Sequence, residues 1–397
     1  MPQDFARESK LRRSGGAVLR HWIVCLPVCA FCVAAAITLA KPVGTAHAQV
    51  SSANANTWTV VIVLPPRVVA GYAATLAVLD VNGRLAPGIT VDIGNNEHVT
   101  TDNTGRASFT APSTGDVLIA KASGASAASL VDLLPASGIQ QAAAKPAAPL
   151  AGGLEISNMS PTVSLHDRFP ICIPGLRGEA DANRVTINGQ RAVVLAASPE
   201  CIVVLPGPYS LIGSAKIAID AAGKQWTANT TLVSLEFAAP NPPLVPGKKS
   251  VLTVEARGSN QPLRVIVENE TPGVLRFRKG ETQELVTKGG ANNVAAMEVD
   301  VSRAGDFSFH ARPLPAPDAE TGRRYLLAAA PFAPKNLQHE IRHLADRLAH
   351  DAAHRSNDHS GNSAGESERI RLELQDILAA TIPGDLRTLL SSAYSSL

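Results

Sequence analysis

Five consecutive residues, His339-Glu340-Ile341-Arg342-His343, have the spacing of a metal centre. On a helix, positions i and i+4 share a face, so both imidazoles could ligate one zinc ion. Glu340 between them could then act as general base on a metal-bound water. His350 and His354 repeat the spacing further along. At about 100° per residue the four histidines share one face, opposite a stripe of Leu337, Ile341, Leu344 and Leu348.

Three features weigh against hydrolysis. Arg342 puts a cation inside the motif, where zinc metallopeptidases carry uncharged residues. The extended metzincin pattern needs Gly at 346 and His at 349, but the chain has Asp346 and Ala349. A hydrolase also needs a cleft, and the motif lies in a short helical region. His359, Glu366 and Glu368 are the candidates for a third ligand, with nothing to choose among them. The expectation is therefore a solvated, His-rich helix face with no cofactor and no catalytic residue. The alternative is a zinc-binding protein or metallohydrolase, with His339, His343, His350 and His354 as ligands and Glu340 as base. No G-x-S-x-G, P-loop or G-x-G-x-x-G motif occurs, and His98, His166 and His310 stand alone as structural or surface residues.

The elements that must position these side chains are amphipathic helices at 335–397. One is predicted over Asn336–His354. A second covers Ser367–Ala380, with a stripe of Ile370, Leu374, Ile377 and Leu378, and ends at Pro383-Gly384. A last one carries Leu386, Leu389 and Leu390, with Asp385 as its N-cap. Short helices with little companion core must bury their stripes somewhere, which predicts docking to a protein partner or self-association through this region.

Upstream the pattern changes to short β-rich runs cut by Asp-x-x-Gly turns: Asp80-Val81-Asn82-Gly83, Asp102-Asn103-Thr104-Gly105 and Asp220-Ala221-Ala222-Gly223. Asp caps such a turn and Gly takes positive φ, so each reads as a hairpin rather than a calcium loop. The stretch LDVNGRLAPGITVDIG…TTDNTGRASFTAPSTGDVLIAKASG, about residues 60–125, resembles bacterial Ig-like and carboxypeptidase-regulatory-like modules. That likeness implies a β-sandwich used as spacer, surface or adhesion unit. About residues 154–237 resemble an IPT/TIG domain through Ser160-Pro161, Gly175-x-x-Gly178 and Pro206-Gly207-Pro208, which implies a second immunoglobulin-like sandwich. A third module, 238–313, has strand candidates at Ser250–Ala256, Leu263–Val267, Val274–Phe277, Glu284–Thr287, Ala295–Val301 and Phe307–Ala311.

The expected organisation is a signal peptide at 1–48, a sandwich at 57–135 and an Ala/Pro-rich linker at 136–150. An IPT/TIG-like sandwich at 151–237 and a third at 238–313 follow, then a connector at 314–334 and helices at 335–397. The fold class is mainly β: tandem immunoglobulin-like sandwiches with a short helical C-terminal region.

Location follows from the leader and the cysteines. A basic stretch with Arg7, Lys10, Arg12 and Arg13 precedes an apolar run from Ile23 to Ala40, then Ala46-His47-Ala48, which predicts cleavage before Gln49. The protein is expected to be secreted or periplasmic, in the cell envelope. If the leader stays uncut, the alternative is a membrane anchor. Cys172 and Cys201 are the two cysteines beyond the leader, and a disulfide between them is expected to add about 3 kcal/mol by loop entropy. A net charge of +2 with no basic block argues against nucleic acid, and 4% aromatics argue against a glycan platform. The predicted function is a non-catalytic extracytoplasmic spacer, adhesion or protein-binding role.

Overall fold

Alternation of apolar and polar residues builds most of this chain. In the strand Val294–Val301, Met297, Val299 and Val301 are buried while Glu298 and Asp300 face water, the two-residue period of a half-wet sheet. The computed structural model describes residues 60–397 except 95, 134–153, 157–158, 239, 241–243, 270, 272, 279, 306, 316, 356–363 and 381. The expected leader and the 136–150 linker lie outside the described residues. The fold is mainly β, in packed pairs of sheets, with four helices at its C-terminal end.

The first pair of sheets encloses Val68, Leu76, Val78, Val91, Phe109 and Leu118. One sheet sets Ala73–Leu79 between Val61–Val63 and Arg106–Thr110. The other runs Arg67–Val69, Ala125–Asp132, Val117–Ala122, Thr90–Asp92, His98–Thr100. The Asp-x-x-Gly corners behave as expected. Asp80 accepts from the Asn82 and Arg84 amides at 2.8 and 2.9 Å, and Asp102 from Thr104 at 2.8 Å. Gly83 and Gly105 take φ of +71° and +70°. The third corner is tighter: Ala221 pairs with Lys224, leaving a two-residue loop in which both Ala222 and Gly223 have positive φ.

The second pair encloses Ile171, Val185, Ile187, Ile202, Ile217, Ile219 and Trp226. Cys172 and Cys201 are register partners on Phe169–Cys172 and Cys201–Leu205, and they are joined by the expected disulfide. The third pair buries Leu252, Val254, Val265, Val267, Leu275 and Met297. Its strands Lys249–Arg257, Arg264–Asn269, Leu275–Phe277, Thr282–Val286, Val294–Val301 and Phe309–Pro313 match the six expected runs to within a few residues.

The modules share sheets. Thr75 of the first pairs with Ala197 of the second. Val63, Ala77, Leu79, Leu195, Ala196 and Val203 form a common core across that joint. The strand Lys224–Phe237 pairs with Gly213–Ala221 as far as Leu232, then with Lys249–Arg257 from Ser234 to Phe237. One strand thus belongs to both the second and third modules.

The helices are α1 (Ala319–Ala329), α2 (Lys335–Arg355), α3 (Ala364–Ala379) and α4 (Gly384–Ser396). Residues 314–334, read from sequence as a connector, contain α1. Asp318 caps it by accepting from the Thr321 amide, and Gly322 within it leaves room for Leu397, whose Cδ2 would lie 2.6 Å from an added Cβ. Asp385 is not the N-cap of α4 but sits in its first turn, where it pairs with Lys121 at 2.7 Å. The apolar stripes expected to seek a partner are largely covered by the chain itself. Ile341, Leu344, Leu348, Ile370, Leu374, Leu386, Leu389 and Leu390 are buried together with Leu130 of the first module and Ile266 of the third. Among the described residues no helix is long and apolar enough to cross a membrane.

Candidate functional site

The helix carrying the His-Glu-x-x-His motif forms as the periodicity requires, with its apolar stripe inward. His339, Glu340, His343 and His350 are exposed on α2, and the His354 side chain lies outside the described residues. Two of the three candidate further ligands are engaged by guanidinium groups: Glu366 with Arg347 at 2.6 Å and Glu368 with Arg264 at 3.4 Å. His359 falls outside the described residues. Among the described residues no three His, Cys, Asp or Glu side chains converge as a metal site would need.

Ionisable residues do converge elsewhere, at the module junctions. His310, on Phe309–Pro313, lies opposite Glu268 in register, and Asp167 arrives from the turn before Phe169–Cys172 of the second module. Its Nε2 is 3.2 Å from Asp167 Oδ2 and its Nδ1 is 3.6 Å from Glu268 Oε2. Arg312 reaches Glu268 at 3.1 Å and donates to Ser395 Oγ of α4 at 3.1 Å. Hydrogen bonds to Asp167 and Glu268 raise the His310 imidazole to about 9 against the opposing effect of burial. Burial alone would raise Glu268, but the His310 bond and the Arg312 charge bring its carboxyl down to about 2.

With both ring nitrogens facing carboxylates, His310 is a cationic clamp rather than a general base. Read alone, it had no visible partner, because Asp167 and Glu268 come from distant strands. His310→Ala is expected to cost about 2 kcal/mol at pH 7, since it removes charged hydrogen bonds from the buried Asp167 and the half-buried Glu268 carboxylates. The stabilisation by His310 is fully present below the unfolded value near 6.5 and is lost as pH rises through about 9. Urea titrations at pH 6, 8 and 10 check this: the variant should lose the alkaline decline that the native protein shows. An identical decline in both would refute the clamp.

A second junction joins the first two modules to α1. Arg324 pairs with Asp132 and donates to the Val131 carbonyl at 3.1 Å. Arg67 bonds Asp318 at 3.0 Å and Thr321 at 2.6 Å. Tyr325 donates to the Pro66 carbonyl at 3.1 Å, and Ser198 of the second module donates to the Arg67 carbonyl at 2.6 Å. Glu200 faces Asp132 here. Burial and that neighbouring carboxylate push Glu200 up to about 7, against the pull of Arg67 and Arg324.

A carboxyl raised above its unfolded value near 4.5 binds its proton more tightly when folded, so this group lowers stability as pH climbs from about 4.5 to about 7. Glu200→Gln mimics the protonated form. The variant is expected to match the native protein at pH 5 and exceed it at pH 8 in urea denaturation. Equal stabilities at both values would show that Glu200 and Asp132 do not interact.

No protein-family model matches the chain, and no curated protein does. Solved structures do. The chain is similar to the Bacteroides ovatus mixed-linkage glucan utilization locus protein SGBP-B, in complex with a mixed-linkage heptasaccharide. The two are 12% identical over 63% of this chain and 71% of that one, with a TM-score of 0.24. The I9–I11 tandem of titin is 8% identical over 64% and 95%, with a TM-score of 0.16. The four N-terminal Ig domains of Dscam1 isoform 1.9 are 12% identical over 63% and 74%, with a TM-score of 0.18. At such low scores these likenesses decide nothing about a ligand for this chain.

Proposed function

We propose that the chain is an exported, non-catalytic protein of the cell envelope, in which β-sandwich modules act as a rigid spacer and binding surface. One observation carries this reading: the strongly displaced ionisable groups His310, Glu268 and Glu200 all face partners at module junctions. His310 between Asp167 and Glu268 ties the second module to the third, and Arg67 and Arg324 tie the first module to α1. The Cys172–Cys201 bond supports an oxidising compartment, and the run Ile23–Ala40 ahead of Ala46-His47-Ala48 supports export. The first two modules are an Ig-like or carboxypeptidase-regulatory-like sandwich and an IPT/TIG-like sandwich. Support for this comes from the Asp-x-x-Gly corners in one and Gly175-x-x-Gly178 in the other.

Fractionation of cells producing a tagged chain tests the reading. The protein should be extracytoplasmic, begin at Gln49 and show no free thiol at 172 or 201. Recovery from the cytosol with both thiols free would refute it.

A second reading rests on His339 and His343, exposed one turn apart on α2: a surface zinc site that binds without hydrolysing. Titration calorimetry of the metal-free protein should then show one zinc bound, lost in His343→Ala. No heat with the native protein ends that reading.

A further inference from the structure

The second module has a small concave site where the loop between Cys201–Leu205 and Gly213–Ala221 meets the hairpin of Asn183–Ile187 and Gln190–Arg191. A depression of about 140 Å³ opens there, lined by Ile187, Asn188, Gln190, Tyr209, Ser210 and Leu211. Its walls are fixed by the backbone. A Cβ on Gly207 would lie 2.3 Å from the Arg191 carbonyl oxygen, so glycine lets the loop lie directly against the hairpin. The Ser210 amide donates to the Gly207 carbonyl at 3.0 Å and closes the turn that carries Tyr209. Asn188, at the hairpin corner with φ of +50°, accepts from the Lys216 amide at 2.8 Å and donates to the Ser214 carbonyl at 3.2 Å. Its side chain is therefore spent on holding the wall.

Folding leaves two groups at this site unused. Ser210 is 9% exposed, and its hydroxyl is buried with no hydrogen-bond partner among the described residues. Such an orphan is costly until something satisfies it. Tyr209 beside it holds its ring in solvent, 79% exposed. No lining residue carries a charge, so nothing here matches a phosphate, a carboxylate or a cation. The chemistry on offer suits a neutral ring bearing hydroxyls. Tyr209 gives a flat face for the ring's C–H side, the exposed Gln190 amide both donates and accepts, and Ser210 has an unspent hydroxyl.

We propose that this depression is a subsite for one neutral hexopyranose unit of a glycan, stacked on Tyr209 and hydrogen-bonded by Gln190, with a χ1 rotation of Ser210 turning its hydroxyl onto the sugar. The scarcity of aromatics argues against an extended platform, not against one ring on one tyrosine. This names a ligand class for the binding surface and rests on that role.

Ligand-observed NMR titrations of the whole purified protein test the subsite. The probes are β-1,4-linked hexasaccharides of glucose, mannose and galactose, which between them set the 2- and 4-hydroxyls both equatorial and axial, and hexagalacturonate as an anionic control. At least one neutral probe should bind saturably with Kd on the order of 1 mM, the strength that about a dozen ligand atoms in one subsite supply. Hexagalacturonate should bind at least about fivefold more weakly, since no lining cation meets its carboxylates.

Tyr209→Ala should weaken the best neutral probe by about fivefold to tenfold, and Gln190→Ala by about fivefold. Ser210→Ala separates ligand contact from packing. It removes an orphan, so thermal unfolding should stay unchanged or rise while affinity falls by about threefold to fivefold. The proposal is overturned if no neutral probe binds, or if hexagalacturonate binds as well as they do. It is equally overturned if Tyr209→Ala, with its circular dichroism unchanged, binds the neutral probes as well as the native protein does. None of these results alters the outcome of the fractionation test, so the subsite can fail while the envelope role stands.

Discussion

Glu284→Leu is expected to destabilise the protein by about 3–5 kcal/mol, because it strands a buried guanidinium. Glu284 lies on Thr282–Val286 of the third module, with its side chain 15% exposed, and Arg371 on α3 is 1% exposed. Arg371 Nη2 is 2.7 Å from Glu284, and its Nη1 donates to the Leu397 carbonyl at 3.0 Å. Without Glu284, the buried guanidinium loses its side-chain carboxylate partner and keeps the Leu397 main-chain oxygen. Arg371→Met should cost much less, since Glu284 keeps Arg264 at 2.6 Å. The pair Glu284→Leu/Arg371→Met should recover most of the loss, as buried ion pairs replaced by apolar residues usually do. Equilibrium urea unfolding of the three variants gives the cycle. A cost below about 1 kcal/mol for Glu284→Leu would mean that α3 is not anchored to the third module through this contact.

The joint between the first two modules should be nearly as sensitive. A Cβ added at Gly178 would lie 1.9 Å from the Ala73 carbonyl oxygen and 2.6 Å from its carbon. Those are backbone atoms of Ala73, fixed in register with Thr110 of the neighbouring strand, so the carbonyl cannot swing aside without breaking that pairing. Opening the gap also breaks the 2.7 Å bond from Thr75 Oγ1 to the Gly178 carbonyl and the one from the Ala180 amide to Thr75 at 3.3 Å. Gly178→Ala is therefore expected to cost about 3 kcal/mol and to loosen the first module from the second. Gly175→Ala is the control. Gly175 has φ of +95° but only the Trp226 ring and the Lys224 amine within 4 Å, so strain of about 1–2 kcal/mol is expected, with the joint intact. Limited proteolysis distinguishes the two. Gly178→Ala should expose the joint and Gly175→Ala should not, and equal protection in both would show that the close approach to Ala73 is not a constraint.

Much of the architecture was legible because its causes are local. A two-residue period marks Val294–Val301 as a strand whatever it packs against, and a stripe of Ile341, Leu344 and Leu348 marks α2. Cys172 and Cys201 fall on facing strands, and expecting an oxidising compartment is reason enough to pair them from sequence. Helix α1 was missed because Gly322 and the flanking prolines weaken its local signal, and its stability comes from Leu326 and Tyr325 packing on distant elements. The sequence marks Gly178 only as part of a turn, yet the reason for the glycine lies in another module, at Ala73.

The amino-acid order by itself determined most of the strands and the helices from Lys335 onward, but not α1; it also determined which face of each is apolar and that Cys172 could meet Cys201. Only the tertiary structure decided what those faces meet: that Lys224–Phe237 serves two modules, that the helical stripes close on Leu130 and Ile266, and that His310 lies between Asp167 and Glu268. The physical reason is range. Periodicity and turn chemistry act over a few residues and leave a pattern in the sequence, whereas an ion pair or a packed joint between remote strands depends on shape and distance that no local pattern encodes.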